Sequence, residues 1–250
     1  MTKKDSKKAI FVSVRTGSKR LPNKCLLPLN GQTTIEYLIK QVKKSKLAEE
    51  IILCTTNKVE DDVLCEIAQR NNIKFFRGSE EDKLKRWYDA SIKHNIKFFV
   101  NVDGDDLFFD PELIDYCFLE YQKTNADFID GKGLYIDAYG IKASALKICC
   151  EEKTETNTEL ISKYFYNIDK KIKIKKLKDV PVKWLKKKMR MTLDYSEDYV
   201  FFKEVINQLN ILGQEFNFEN ILKFLKTNPE VCKINYYRDQ HWKDNQIKKR

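Results

Sequence analysis

Histidine is almost missing from this chain, with two residues in 250, His94 and His241. Imidazole-based metal sites and serine–histidine triads therefore have little support. The seven cysteines contain no Cys-x-x-Cys pair; Cys149 and Cys150 are adjacent and the other five are scattered, mostly in apolar stretches. An odd, unpatterned set argues against a disulfide framework or a zinc site and for buried reduced thiols. No apolar run approaches the length that crosses a bilayer. The start, "MTKKDSKK", lacks the apolar stretch of a secretory signal. These absences lead to the expectation of a cytoplasmic protein with no membrane partner. With no internal repeat and no low-complexity linker, the expectation is one domain over 1–250, with an inserted arm at about 130–188.

The composition is 42% apolar and 12% aromatic, enough to bury a sizeable core. The net charge is +10. Nucleic acid is one partner that such a charge suggests. The lysines are spread along the chain, with denser groups at "KKIKIKK" and "KWLKKKMR", and no aromatic platform for stacking bases is interleaved with them. The expectation is therefore no nucleic-acid partner, but a basic surface that attracts a small anion.

Strand and helix patterns alternate every 20 to 25 residues or so, which predicts an α/β fold with a mixed, mainly parallel sheet flanked by helices. Ala9 to Val14 reads as a buried strand. Ile35, Leu38, Ile39 and Val42 mark one face of a helix. "EIILCTT" at Glu50 to Thr56 is a strand, and Val63, Leu64, Ile67 and Ala68 suggest a helix after it. "IKFF" at Ile73 to Phe76 is a third strand. Ser79 reads as the cap of a helix with an acidic first turn. "KFFVNV" is a fourth strand, and Asp110-Pro111 starts a helix with Ile114, Cys117, Phe118 and Tyr121 on its buried face. Further on, "DFIDGKGLYIDAYGIK" reads as strands joined by turns and "TNTELISKYFYNI" as a helix. "KIKIKKL" reads as an exposed or edge strand. "MRMTLD" is a short strand before a helix capped by Ser196, and a last helix falls near Asn220 to Leu225.

Three segments carry candidate chemistry. "VRTGSKRLPNK" follows the first strand, and a strand's carboxyl end opens onto the ligand crevice of a parallel sheet. Gly17 allows unusual backbone conformations and close approach of amides to a phosphate. Arg15, Lys19, Arg20 and Lys24 supply cations; the same loop also reads as solvated surface. The P-loop spacing is absent. In "NVDGDDLFFDPE", Asp103, Asp105 and Asp106 surround Gly104 at a strand end. Such carboxylates suit Mg²⁺, which takes one or two protein oxygens and completes its shell with water and substrate phosphates. The competing reading is a polar turn before a helix. In "RMTLDYSED", Asp194 ends a strand and stands free of capping, because Ser196 can take that role.

"RTGSKRLPNKCLLPLNG", "FRGSEEDKLKRWYDA", "NVDGDDLFFDPELID" and "RMTLDYSEDYVFFKEV", in that order, resemble the cytidylyltransferase family. The family includes Kdo (3-deoxy-manno-octulosonate) and acylneuraminate cytidylyltransferases and the spore coat polysaccharide biosynthesis protein F group. The resemblance is nearest to the last group, over about residues 9–120 and 188–206. It implies a Rossmann-like nucleotidyltransferase fold of the nucleotide-diphospho-sugar transferase type. The implied reaction is Mg²⁺-dependent transfer of CMP from CTP to an acidic sugar for surface polysaccharide, releasing pyrophosphate. By position, Arg15 and Lys24 would hold the triphosphate, with Val14, Gly17, Ser18 and Arg20 forming the loop. Asp105 and Asp194 would hold Mg²⁺. Gly78, Ser79, Asp103 and Gly104 would line the nucleotide. Asp103 stands where Kdo enzymes carry Gln, Leu107 where Pro is common, and Tyr195 where a small residue follows the second aspartate. Lys142, Lys163 and Arg190 are candidates for an acidic acceptor's carboxylate. The 130–188 arm would serve acceptor binding or dimerisation, because family members often form homodimers.

Two further acceptor or reaction classes stay open. One is a small phosphorylated or phosphonate metabolite receiving CMP. The other is a metal-dependent glycosyltransferase using a nucleotide sugar, for which "DGD" would serve equally well. A non-enzymatic binder of polyanions is a third reading, motivated by charge alone.

Overall fold

The computed structural model describes residues 7–185 and 188–239. The tail "WKDNQIKKR", His241, and Lys186 and Lys187 of the basic run lie outside the described residues. The main sheet has seven strands: β1 (Lys7–Ser13), β4 (Glu50–Thr56), β5 (Lys74–Gly78), β6 (Ile96–Asp103), β7 (Phe128–Gly131), β8 (Ala138–Lys142) and β9 (Ile174–Lys176). Their order is β5-β4-β1-β6-β8-β7-β9, and a separate two-residue hairpin pairs β2 (Pro28–Leu29) with β3 (Gln32–Thr33). β8 runs antiparallel to both its neighbours; the other pairings in the sheet are parallel. This is the expected mixed, mainly parallel sheet.

The helices are α1 (Thr34–Val42), α2 (Asp62–Arg70), α3 (Lys83–His94), α4 (Pro111–Thr124), α5 (Ala143–Glu152), α6 (Ile161–Asn167), α7 (Ser196–Ile211), α8 (Phe218–Thr227) and α9 (Pro229–Lys233). Strand alternation sends Ile10, Val12, Val100 and Val102 to one apolar layer, with α1, α2, α4, α7 and α8. Phe11 and Phe99 go to the other layer, with α3, α5 and α6. Rings of Phe11 and Phe99 stack at 4.0 Å, and Trp87 of α3 meets Phe99 edge-on at 5.6 Å. Burial on both faces explains why β1, β4 and β6 are continuous apolar runs.

The chain leaves β1 for β4 on one side and returns to β6 on the other. The carboxyl ends of β1 and β6 therefore flank a topological switch point, where open α/β sheets place ligands. Residues 14–24 and 103–110 leave from these two ends.

Several local expectations are corrected. α3 starts at Lys83, and its cap is Asp82, whose carboxylate accepts from the Lys85 amide at 3.0 Å; Ser79 Oγ instead accepts from the Asp82 amide. "MRMTLD" forms no strand; Leu193 makes a single backbone bond to Asp105 O at 2.9 Å. The residue capping α7 is Tyr195, not Ser196, and Asp198 takes the Tyr195 amide at 2.9 Å. α5 and α9 were not expected. Asp110 does cap α4, accepting from the Glu112 amide at 3.1 Å, and β9 is an edge strand.

Candidate active site

Two anchors shape the loop after β1. Buried Asp61 accepts from the Thr16 amide at 2.8 Å and the Thr16 hydroxyl at 2.7 Å, and also holds the Thr56 hydroxyl at the end of β4. Burial opposes ionisation of this carboxyl, but the Thr16 amide and the surrounding threonine hydroxyls lower its pKa. At the loop's other end, the Thr34 hydroxyl donates to Lys24 O at 2.6 Å, while Cys25 is buried beneath. Gly17 is not in the left-handed region, and a Cβ there would meet nothing within 4 Å. What this glycine supplies is open space beside the cations, not a special dihedral. Gly104 is different: an added Cβ would lie 2.7 Å from Val14, so a larger residue would push the two loops apart.

The two loops meet through charge. Lys24 Nζ lies 2.5 Å from Asp105 Oδ2 and 2.9 Å from Asp194 Oδ1. Two aspartates 89 positions apart thus share one ammonium group. Arg20 pairs with the same Asp194 oxygen. Arg190, almost fully buried, reaches Asp194 Oδ2 at 3.1 Å and Asp198 Oδ1 at 2.9 Å. Asp198 also accepts the Asp194 amide at 2.8 Å, and Asn235 donates to it at 2.9 Å. The second aspartate is therefore held by its backbone and by three cations. Burial would raise its pKa, but Lys24, Arg20 and Arg190 hold it below the usual carboxylate range.

Asp105 is less well compensated. Burial, together with the charges of Asp194 and Asp103, raises its carboxyl despite Lys24. Asp106 is buried with no hydrogen-bond partner for its carboxylate among the described residues. Burial, with Asp105, Asp103 and Asp137 nearby, pushes it well above the ordinary value. Asp103 points to the α3 side, where Lys83 Nζ lies 2.6 Å away and Asn101 donates at 3.2 Å. Burial opposes its ionisation, but Lys83 wins and lowers the pKa. Beneath them, Trp87 Nε1 donates to Ser13 Oγ at 2.7 Å, which donates to Asn101 Oδ1 at 2.8 Å. This chain fixes the end of β6 against α3.

Arg15 lies on the same side, 2.8 Å from Glu159 and within 3.4 Å of Glu80 O. Arg86, buried under the 78–80 turn, donates to Ser79 O and packs against Gly78, where a Cβ would come within 2.9 Å of its chain. Gly78 and Ser79 thus sit beside Arg15. Ser18 accepts from the Leu21 amide at 3.5 Å inside the loop. The structure brings Val14, Arg15, Gly17, Ser18, Arg20, Lys24, Gly78, Ser79, Asp103, Gly104, Asp105 and Asp194 to one edge of the sheet.

The three acceptor candidates are not brought together. Lys142 pairs in register with Phe98, at the opposite end of β6 from Asp103, about 16 Å away along the strand. It is bound to Asp127 at 3.0 Å. Lys163 is on α6 and pairs with Glu155 at 2.7 Å. Arg190 is sealed between Asp194 and Asp198. Sequence reasoning missed Lys83, Arg86, Asp61 and Asp198. Lys83, Arg86 and Asp198 lie inside segments that carry the family resemblance, Asp198 also as an acid in the first turn of α7; Asp61 left no signal.

The arrangement is that of a nucleotidyltransferase: a cation-rich loop and strand-end carboxylates facing one crevice at the switch point. Residues 9–223 match the family model described as cytidylyltransferase, and the chain belongs to the cytidylyltransferase family. An uncharacterized protein of Methanocaldococcus jannaschii is 31% identical over 232 residues, 90% of this chain and 93% of that protein. The spore coat polysaccharide biosynthesis protein SpsF of Bacillus subtilis is 24% identical, over 89% of this chain and 95% of that protein. A solved cytidylyltransferase of Leptospira borgpetersenii superposes with a TM-score of 0.80 at 26% identity, covering 91% of this chain and 97% of that one. The fold is that of the nucleotide-diphospho-sugar transferases. No helix among the described residues is long and apolar enough to cross a membrane.

Proposed function

We propose that this protein transfers CMP from CTP to an acidic sugar in the cytoplasm, releasing pyrophosphate, as a step toward surface polysaccharide. The observation that carries the reading is the convergence of Asp105 and Asp194 on Lys24, with Arg20 on the same carboxylate and Arg15 across the loop. A triphosphate needs several cations; this loop supplies Arg20 and Lys24 at the two aspartates and Arg15 beside Glu80 and Glu159. The relatedness to SpsF, named for polysaccharide biosynthesis, supports the polysaccharide role, and a 30% identity over 48% of this chain to a 3-deoxy-manno-octulosonate cytidylyltransferase supports the acidic sugar.

The residues present fit Mg²⁺. Two carboxylates near each other, one of them raised by burial and crowding, make a donor set that a divalent cation would relieve, and Mg²⁺ asks for no third side chain. When bound there it would neutralise phosphate charge and acidify the acceptor hydroxyl. Arg15, Arg20 and Lys24 would bind the phosphates and stabilise the charge that builds on the leaving pyrophosphate. The acceptor oxygen attacks the α-phosphorus as the bond to the bridging oxygen breaks in line. Holding both reactants in the crevice supplies much of the rate. Arg190, Asp198 and Asn235 keep Asp194 in place, so that the carboxylate need not reorganise during the reaction.

The test is a pyrophosphate-release screen of the four nucleoside triphosphates against Kdo, N-acetylneuraminate and phosphorylated metabolites. Release with CTP and an acidic sugar is expected. Release only with a phosphorylated acceptor would move the acceptor class, and release of a nucleoside diphosphate from a sugar nucleotide would overturn the reaction.

A further inference from the structure

Arg15, Lys19, Arg20 and Lys24 share one short loop. Like charges gathered in this way repel one another and favour an open loop. Thr16 closes it. Its carbonyl accepts from the Ser18 amide at 2.7 Å and from the Asn23 amide at 3.3 Å, so the two ends of the loop meet at this residue. To reach it, Asn23 enters the left-handed region at φ 54°, which asparagine tolerates better than most residues.

Thr16 in turn hangs from Asp61. One carboxylate oxygen takes both the Thr16 amide and its hydroxyl; the other takes the Thr56 amide at 3.3 Å and the Thr56 hydroxyl. Asp61 is almost fully buried, and it has no cation within ion-pair distance among the described residues. It reaches the loop from the connection between β4 and α2, and that connection is also fastened to the opposite wall of the crevice. The Asn57 amide donates to Gly78 O at 3.1 Å, Arg77 donates to Thr56 O at 3.0 Å and to Lys58 O at 2.7 Å, and Lys58 pairs with Glu80 at 2.8 Å. Arg15, the neighbour of Thr16, reaches Glu80 O of the same wall. The spacing between the cation loop and the 78–80 turn is thus set through residues 56–61.

We propose that Asp61 is a positioning residue for nucleotide binding: by holding the neck of the loop at Thr16, it keeps Arg15, Arg20 and Lys24 gathered before the triphosphate arrives. The inference rests on the proposed binding of the CTP phosphates by this loop. As a charge alone, a buried anion beneath the loop opposes a triphosphate; what it holds outweighs that repulsion. A neck that is closed only part of the time lowers the apparent affinity by the closed fraction, and a loop ordered in advance avoids that loss. Asparagine at 61 keeps one oxygen for Thr16 but turns an NH₂ group toward the Thr56 amide, so that donor faces donor.

The test is CTP binding by isothermal titration calorimetry on the full chain, with Mg²⁺ and no acceptor, below the melting temperature of each variant. Asp61→Asn should weaken binding about tenfold, although it removes a charge of the ligand's own sign. Thr16→Ser, which keeps amide and hydroxyl, should stay within about twofold of the wild type, and Thr16→Val, which loses only the hydroxyl, should fall between the two. Unchanged or tighter binding in folded Asp61→Asn would overturn the proposal. If that variant does not fold, the threonine pair decides, and equal affinity of Thr16→Val and Thr16→Ser would overturn it. A purely structural role lowers the melting temperature and leaves the affinity of the folded protein alone. In the nucleotide-free protein, exchange of the Ser18 and Asn23 amides, read by NMR, should speed up in Asp61→Asn or Thr16→Val and not in Thr16→Ser. A wild-type chain that binds CTP but passes CMP to no acidic sugar would refute the proposed transfer and leave this result standing. A wild-type chain that binds no CTP would sink the loop's assignment, with the exchange rates still telling whether Asp61 closes the neck.

Discussion

Replacing Lys24 with methionine keeps the length of the side chain and removes the ammonium that Asp105 and Asp194 share. The contact at 2.9 Å corresponds to about 6 kcal/mol of Coulomb attraction at an effective dielectric of 20, much of it offset by the cost of burying the lysine. Removing one partner of a buried pair typically costs about 3–5 kcal/mol. The lower end applies here, since Arg20 and Arg190 still neutralise Asp194. For a chain of this size, about 3 kcal/mol lowers Tm by about 6–12 °C. The pH dependence follows from the shifts. Burial would lower the Lys24 pKa, but Asp105 and Asp194 raise it above the ordinary lysine value. Its contribution is fully present below about pH 10 and is lost as pH rises through the folded value. On the acid side the depressed pKa of Asp194 keeps the pair intact below the ordinary carboxylate value, and it is lost as pH falls through the folded one. The deficit of Lys24→Met should therefore be flat across neutral pH and shrink toward both extremes. Pairing it with Asp105→Asn in a double-mutant cycle should give a coupling of about 1–3 kcal/mol. A Tm within about 1 °C of the wild type at neutral pH, with no coupling, would refute the argument that this lysine holds two otherwise repelling carboxylates.

Other outcomes follow from the same geometry. Arg190→Met should cost about 3 kcal/mol in urea unfolding, because it leaves buried Asp198 without its cation while Asp194 keeps Lys24 and Arg20; Arg190→Lys should recover part of that loss. Asp106→Asn should stabilise the ligand-free protein at neutral pH but not below about pH 4. A raised folded pKa means that ionisation destabilises the fold as pH rises above the unfolded value, and thermal melts across pH would show the gain appearing there. Cys25, Cys54 and Cys117, all buried and with thiols pushed up to about 12 by burial, should resist iodoacetamide in the native protein and react in denaturant, as mass spectrometry would report.

The parallel core was legible because its strands are buried on both faces and so read as unbroken apolar runs. "EIILCTT" coincides with β4 for this reason. The carboxylates of the site were legible for a related reason: Asp103 and Asp105 follow an apolar strand at the edge where its loop must leave. The segment around Asp194 was harder. It reads as a strand but is irregular, positioned by the buried Arg190–Asp198–Asn235 cluster, of which Asn235 lies 37 residues from Asp198. α5 was missed because "ASALKICCEE" mixes small and apolar residues without a clean stripe. The acceptor lysines went wrong for want of register. Residue type alone does not tell that Lys142 lies at the far end of β6 from Asp103.

The most direct test is turnover by two conservative variants. With CTP, Mg²⁺ and the acidic sugar found in the screen, the wild-type protein should release pyrophosphate. Asp105→Asn and Asp194→Asn should each fold, judged by circular dichroism, and release it at less than about one hundredth of that rate, the scale of losing one electrostatic stabiliser. Full activity in either folded variant would contradict the assignment of these two carboxylates to the reaction.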